Sequence, residues 1–215
     1  FEAGTRENPE SGYRSPFSHA NEKASPGYYK VLLDKYNIEA ELTATCRAGF
    51  HQYTFPDDAE QKLIIDLFHS LKTDSISNCR FRVVNDSLVV GARQSKGWGE
   101  KGEKDWVEHE VFFAARFSGK ISNIRVFEDG NQVDDKTDAS GNVVKVALTF
   151  KPEGKQKLQV KVGISEVDID GAINNLDAEI PHWNFEQVRK QAEEDWEKVL
   201  QSVKIKTDKP ETAET

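Results

Sequence analysis

The feature that most constrains the fold is a long run of strand patterns that no helical pattern interrupts. Between about Gly27 and Gly163 the sequence repeats short segments such as "GYYKVLL", "CRFRVVND" and "SLVVGAR". Their apolar side chains alternate with polar ones, as in strands that bury one face. Strands that follow one another without helices between them predict an antiparallel β-sandwich rather than a βαβ fold.

Local patterns refine this run of strands. The segment "IEAELTATCRAGFHQYTF" predicts two strands that meet at "AGF", with Cys46 in the alternating apolar set of the first. A short "ND" turn predicts a hairpin between "CRFRVVND" and "SLVVGAR". The most apolar segment, "HEVFFAARF", predicts a central strand. The polar segment 130–141 predicts an exposed loop, because it is rich in turn residues.

The periodicity changes after Gly163 and predicts two helices. The first, "DIDGAINNLDAEI", has Asp168 or Asp170 as a candidate cap. The second, "NFEQVRKQAEEDWEKVLQSV", has Asn184 as its candidate cap, with Gln187 at capping-box spacing. Its apolar residues step by three or four and form one stripe, which we expect to lie on an apolar surface. The stripe consists of Phe185, Val188, Ala192, Trp196, Val199, Leu200 and Val203.

Composition and charge argue against several classes of protein. Of the 215 residues, 37% are hydrophobic and 31% charged, a balance that predicts a folded domain. The net charge of −8, with basic residues interspersed among acids, argues against a nucleic-acid partner. The same charge disfavours binding to anionic membranes, and no apolar run approaches transmembrane length.

These patterns divide the chain into four parts. We expect a flexible N-terminal segment at 1–16, a β-sandwich at 17–163, a helical linker region at 164–203 and a polar tail at 204–215. The chain opens on Phe1 and carries no signal peptide, so we expect it to be a piece of a longer protein.

Two cysteines and a few isolated polar residues offer little for known catalytic motifs. Cys46 and Cys79 both fall in predicted strands, and two separate buried thiols are favoured over one bridge. A nucleophile elbow, a P-loop and a dinucleotide fingerprint are all absent from the sequence. Carboxylates are plentiful, but no pair stands out as the two that glycoside hydrolysis needs.

His19 and Glu22 form the first candidate site. They lie three residues apart, so on one helical turn or a tight loop their side chains can converge. Such a pair could hold a sugar hydroxyl, a metal or a partner loop. Alternatively, Ser18 or Asn21 caps an ordinary turn that contains a hydrogen-bonded histidine, and the spacing by itself favours this simpler interpretation.

Tryptophans are the second kind of candidate. Trp98 lies in the Gly-rich segment "SKGWGEKG", where its ring could stack on a sugar or close the end of the sandwich, and the two alternatives are equally supported. We expect Trp183 and Trp196 to pack in the helical region. Trp106, just before the predicted central strand, remains open between these roles.

Several segments in order carry a family resemblance. They are "PFSHANEKASPGYYKVLL", "IEAELTATCRAGFHQYTFP", "VFFAARFS", "VKVGIS" and "NNLDAEIPHWNFEQVRKQAEEDWEKVL", which span about Pro16 to Val203. Together they resemble the N-terminal domain of glycoside hydrolase family 92, the calcium-dependent exo-acting α-mannosidases. The resemblance implies a mainly β fold, an antiparallel β-sandwich of the supersandwich type, followed by a C-terminal helical linker.

The resemblance also implies partners and a division of labour. In this family the linker leads to an (α/α)6 catalytic domain, whose carboxylates hydrolyse mannosides with inversion and whose Ca²⁺ helps to distort the sugar. The resemblance implies that catalytic residues and calcium ligands belong mainly to that domain, and we expect the family's first strands to be absent from this chain. We therefore expect no catalytic residue, no metal ligand and no bound Ca²⁺ in this chain, which should be inactive by itself.

The remaining expectations follow from the same resemblance. The partners would be the C-terminal catalytic domain of the same polypeptide and mannose-containing glycans, in bacterial N-glycan degradation outside the cytoplasm, periplasmic or secreted. His19, Glu22 and Trp98 are the substrate-adjacent candidates. The main rival is a non-catalytic carbohydrate-binding or adhesion β-sandwich module, which would not need the helices after Gly163. A scaffold domain without sugar contact is a third alternative.

Overall fold

The computed structural model describes residues 11–57, 59–69, 75–97, 107–133, 136–151 and 157–203. These residues form a 3-10 turn at His19–Asn21, a series of strands and then two helices. The strands are β1 (Glu22–Ser25), β2 (Tyr28–Leu33), β3 (Ile38–Ala44), β4 (Ala48–Thr54), β5 (Lys62–Asp66), β6 (Ser75–Asn85), β7 (Leu88–Gly97), β8 (Val107–Phe117), β9 (Ile121–Glu128), β10 (Asn131–Val133), β11 (Asp138–Gly141), β12 (Val144–Phe150) and β13 (Lys157–Ser165). The helices are α1 (Ile169–Glu179) and α2 (Phe185–Leu200).

The strands form two antiparallel sheets, so the predicted sandwich is confirmed. The larger sheet has nine strands in the order β1-β2-β3-β4-β13-β8-β7-β6-β11, and the smaller has four in the order β10-β9-β12-β5. The main apolar core joins the two sheets. Phe81 and Phe117 enter it from the larger sheet, and Val146, Leu148 and Phe150 from the smaller.

The two helices cover part of the other face of the larger sheet. Helix α1 packs Ala172 and Leu176 against Val90 and Ala114. The helix comes this close because β13 has Gly163 at the crossing, where an added Cβ would lie 2.6 Å from Leu176 Cβ. Helix α2 packs Phe185 and Val188 against Ala48 and Phe50 of β4. The larger sheet is therefore buried on both faces where the helices cross it.

Several local predictions are confirmed. Strand β8 lies inside the larger sheet, and β6 and β7 form the predicted hairpin. The Asp168 side chain caps α1 by accepting a hydrogen bond from Gly171 N at 2.6 Å. The Asn184 side chain caps α2 by accepting one from Gln187 N at 3.2 Å.

The prediction for Cys46 is wrong, whereas that for Cys79 is confirmed. Cys46 lies in the turn between β3 and β4 and is exposed, while Cys79 is buried in β6, and both thiols are free. The chain reverses at Thr45–Arg47, before "AGF", because Thr45 N and Oγ1 both donate to Ala48 O. Cys46 therefore leaves the alternating pattern of β3 and reaches the surface.

The polar segment 130–141 also differs from the prediction. Where a loop is expected, β10 pairs with β9 and β11 pairs with β6. The β9–β10 turn places Asp129 and Gly130 at positive φ angles of 48° and 84°, as in a two-residue hairpin turn. Turn residues at 129–130 therefore start a hairpin. The short strands that follow extend one edge of each sheet.

Part of the predicted flexible N-terminal segment is attached to the sandwich. Tyr13 OH donates a 2.6 Å hydrogen bond to Asp66 on β5, and Asp34 N donates to Pro16 O. Positions 1–10 and the polar tail 204–215 lie outside the described residues. Neither helix of the described residues combines the length and the apolar character that crossing a bilayer requires.

Candidate functional site

The first candidate site is the SHANE cluster, which we define as Ser18–Glu22 together with Tyr29. Ser18 Oγ accepts from Ala20 N at 3.2 Å, and Ser18 O accepts from Asn21 N at 2.9 Å. These bonds form the 3-10 turn and bring His19 Nδ1 within 2.6 Å of Glu22 Oε2. The cap by Ser18 and the convergence of His19 and Glu22 are thus both present.

Glu22 is the centre of the SHANE cluster. Tyr29 OH donates to Glu22 Oε1 at 2.6 Å, from the neighbouring strand β2. The hydrogen bond from Tyr29, followed by the smaller effect of the bond with His19, lowers the pKa of Glu22. The bond between Tyr29 and Glu22 also raises the pKa of Tyr29. An ionised carboxylate only accepts, so Nδ1 of His19 carries the shared proton.

The His19 ring is oriented but open to solvent. Its side chain is 89% exposed, and Phe17 meets it edge to face at 5.6 Å between ring centroids. With Nδ1 held by Glu22, Nε2 points away from that bond and can accept from, or when protonated donate to, a group outside the chain. The cluster therefore presents a fixed imidazole to whatever covers it.

A polar cleft of about 430 Å³ lies beside the cluster. Lys30 and Glu39 form a 2.7 Å ion pair there, between β2 and β3. The cleft is lined by Ala20, Asn21, Glu22, Lys23, Tyr28, Lys30, Leu32 and Glu39. His19 is outside this lining. Of the predicted site residues that the structure describes, Glu22 is the one that lines the cleft.

A buried polar network beneath α2 is absent from the sequence-based predictions. Glu41 is buried on β3 and accepts from Tyr28 OH at 2.8 Å and from Gln52 Nε2 at 2.7 Å. Gln159 Nε2 continues the network by donating to Gln52 Oε1 at 3.0 Å. Burial, followed by the bond to Glu41, raises the pKa of Tyr28. The only sequence signal was that an amphipathic helix would need a sheet face to cover.

Lys161 fixes the link between the two helices. Its side chain is buried on β13, and Nζ donates to Ile180 O at 2.8 Å, just after α1. Nζ also lies 4.4 Å from the centre of the Trp183 ring. Burial lowers the pKa of this ammonium group. Trp183 therefore packs in the helical region as predicted, and it also touches Phe50 edge to face.

A groove of about 650 Å³ lies between the β3–β4 turn and α2. At one end Glu179 accepts from Arg47 N at 2.9 Å, from Arg47 Nε at 2.7 Å and from Thr45 Oγ1. Burial pushes the pKa of Glu179 up, but the bonds from Thr45 and Arg47 outweigh it, so this pKa lies below its usual range. Ala192, Trp196 and Val199 supply apolar lining.

The family resemblance implies a calcium site in the catalytic domain, and the described residues can be compared with what such a site requires. Ca²⁺ takes about six to eight oxygen ligands, several of them from carboxylates. Nowhere in the described ranges do three or more His, Cys, Asp or Glu side chains converge well enough to hold a metal ion. Trp98, the remaining sequence candidate, and Trp106 lie outside the described residues.

A two-sheet β-sandwich followed by two helices on its outer face is the architecture that these residues define. Family models identify it: residues 1–165 match the glycosyl hydrolase family 92 N-terminal domain, and residues 171–215 match the glycosyl hydrolase family 92 catalytic domain. The chain belongs to glycosyl hydrolase family 92, which confirms the resemblance seen in the sequence. The second match begins within α1, so both helices fall largely inside it.

Solved structures and a curated relative are similar to the chain. The family 92 α-mannosidase BT3965 of Bacteroides thetaiotaomicron is 34% identical, with a TM-score of 0.85, over 96% of this chain and 28% of that one. The inverting mannosidase BT2199 of the same bacterium shares the fold at 22% identity and a TM-score of 0.74, over 89% of this chain and 24% of that one. An "uncharacterized secreted glycosidase" of Arthroderma benhamiae is 26% identical over 86% of this chain and 26% of its own length. The chain thus spans about a quarter of the length of these relatives.

Proposed function

We propose that the chain contains the N-terminal domain of a longer α-mannosidase, which hydrolyses α-mannosides in mannose-containing glycans with inversion. The observation that carries the proposal is the pair of adjacent family matches, to the N-terminal domain and then to the catalytic domain. The α-mannosidase BT3965, which resembles the chain over 96% of its residues, supports the substrate class. Inversion is supported by BT2199, although only through a shared fold.

In this proposal the described residues support the catalytic domain and supply none of its chemistry. The Lys161–Ile180 bond and the Glu179–Arg47 bonds fix both ends of the link between the sheet and the helices. They would hold α2 in a constant orientation for the (α/α)6 domain that follows it. The catalytic carboxylates and the Ca²⁺ ligands would lie in that domain, as the family resemblance implies. Ca²⁺ would there bind mannose hydroxyls and help to distort the ring.

We assign the SHANE cluster to the interface with the catalytic domain rather than to the substrate. Its imidazole is fixed by Glu22 and Phe17 but remains 89% exposed, which suits a contact made by another part of the protein. A secreted or periplasmic location and a bacterial role in N-glycan degradation complete the proposal. The description of the Arthroderma benhamiae relative as secreted supports the location.

Activity assays test the proposal. Hydrolysis of an aryl α-mannoside should be absent from the 215-residue chain, present in the longer protein and lost there when Ca²⁺ is chelated. Hydrolysis by the chain alone would contradict the proposed division of labour. Calorimetric titration with mannose and mannobiose tests the rival. Binding tighter than about 1 mM by the chain alone, abolished by Trp98→Ala, would identify a carbohydrate-binding module instead.

A further inference from the structure

The second half of α2 and the turn after it carry large apolar side chains that the described residues leave largely exposed. The docking stripe, as we name it, consists of Trp196, Val199, Leu200 and Val203, with 51%, 63%, 49% and 73% of their surfaces exposed. Steps of three and four place Trp196, Val199 and Leu200 on one face of the helix, and Val203 follows in the turn after α2. The same face, one turn earlier, buries Ala192, which lies so close to Gly27 that an added Cβ there would be 2.9 Å from Ala192 Cβ. The helical face that packs on the sandwich at Ala192 is therefore exposed to solvent farther along α2.

The groove beside the β3–β4 turn extends this surface. Trp196 and Val199 line it from α2, and Ala44 and Cys46 line it from the turn. Because Glu179 binds both Thr45 and Arg47, the turn is tied to the end of α1 and the groove is already formed. A partner would therefore meet a shaped apolar surface that needs little rearrangement on binding.

The chemistry of this surface favours a protein partner over a sugar. Sugars need hydroxyl partners, but the polar groups here are engaged with one another. Glu179 binds the turn, and Asp195 accepts from Gln191 Nε2 at 3.1 Å and from Lys198 Nζ at 2.7 Å. The docking stripe also runs past the groove to Val203, farther than a sugar in the groove would cover. Contiguous exposed apolar side chains of this kind mark protein contacts.

Charges beside the docking stripe decide between two protein partners. Helical spacing places Glu193 and Glu197 along one margin of the docking stripe, whereas Asp195 on the other margin is paired with Lys198. A second copy of the chain would bring another acidic margin and a further net charge of −8 to this surface. A helix with Lys or Arg beside its apolar face would meet opposite charges instead.

We propose that the docking stripe and its groove receive a helix of the catalytic domain whose apolar face is flanked by basic residues. Residues 171–215, which include α2, match the family's catalytic-domain model, although the first half of α2 packs on the sandwich. Helix α2 is thus shared between the two domains. The inference rests on the proposed function, from which it takes the catalytic domain.

Calorimetric unfolding of two proteins tests the inference: the 215-residue chain and the longer protein. Val199→Glu should change the melting temperature of the chain by less than about 2 °C, because Val199 is exposed there. It should lower that of the sandwich in the longer protein by about 5 °C, because the new charge would be buried. Lys190→Gln, which changes the net charge equally on the other face of α2, should leave both unchanged.

A charge variant and two further readouts complete the test. The double variant Glu193→Lys, Glu197→Lys should lower the melting temperature only in the longer protein, as the basic margin predicts. Equal shifts in both proteins, or none in the longer one, would overturn the inference. So would a dimer of the chain that Val199→Glu dissociates. Aryl mannosidase activity is measured in parallel. If the longer protein is inactive but still shows the shifts in melting temperature, the proposed function is wrong and the docking surface stands. If it is active but shows no shifts, the docking surface is wrong and the proposed function stands.

Discussion

Glu179 is the residue that ties α1 to the β3–β4 turn, and its charge makes this contact dependent on pH. Its folded pKa is lowered by the bonds from Thr45 and Arg47. A lowered carboxyl pKa stabilises the fold above the unfolded pKa, and this contribution is lost as the pH falls through the folded pKa. Glu179→Gln should therefore reduce the free energy of unfolding by about 1 to 2 kcal/mol at neutral pH.

The acid side of the titration gives the sharper readout for Glu179. Urea unfolding at about pH 7 and about pH 3 should show the difference between wild type and Glu179→Gln shrinking at the lower pH. Glu186→Gln is the control, because its carboxylate binds Arg189 only on the exposed surface of α2. A difference for Glu179→Gln that stays constant with pH would refute the role of its charge.

Buried polar residues show where single positions escape prediction from the sequence. Strand alternation assigns Glu41 and Lys161 to the polar, solvent-facing side of β3 and β13. Both are buried, because the helices cover that side of the larger sheet. The hydrogen bonds that make this burial tolerable come from Tyr28, Gln52 and the Ile180 carbonyl, which lie 11 to 19 residues away in sequence. His19 and Glu22 could be paired from the sequence because only one turn separates them.

At the scale of elements, the crossing of α1 and β13 depends on one missing side chain. Gly163 faces Leu176 Cβ, and an added Cβ would lie 2.6 Å from it. Gly163→Ala should therefore push α1 off the sheet and reduce the free energy of unfolding by about 3 kcal/mol, as overpacking does. Urea unfolding of the chain measures the loss. Gly49→Ala, on β4, is the matched control, because its Cβ would first meet His51 Nε2 at 3.4 Å. Equal losses for the two variants would contradict this account of the crossing.

Elements with strong local signals could be predicted, and those that depend on distant partners could not. Helix α1 has the Asp168 cap, and the β6–β7 hairpin has its turn residues within the segment itself. Strands β10 and β11 are short and contain turn-forming residues such as Asn131, Asp138 and Gly141. They form because β9 and β6 provide edges with which they can pair. The stripe on α2 predicted a partner surface, but the sequence pattern does not tell which half of the helix the sandwich covers.

At the scale of the whole molecule, the strand order lies beyond local patterns. Strand β13 pairs between β4 and β8, although about 100 residues separate it from β4 along the chain. This insertion brings Lys161 and Gly163 beneath the helices that follow directly in sequence. The alternation of apolar and polar residues is enough to predict a β-sandwich. The surface that the sandwich offers to another domain depends instead on the order of the strands in the larger sheet.

The SHANE cluster gives the prediction that separates an interface from a substrate site. If the catalytic domain covers His19, His19→Ala should lower the melting temperature of the longer protein and change that of the 215-residue chain little, because the ring is exposed in the chain. KM for an aryl α-mannoside should then rise by less than about twofold. Tyr29→Phe, which removes the other donor to Glu22, should act in the same direction through a looser carboxylate. Lys23→Ala, a neighbouring exposed position on β1, is the control. A large rise in KM at an unchanged melting temperature would instead place His19 at the substrate, since a group that binds only the sugar adds nothing to the stability of the unliganded protein.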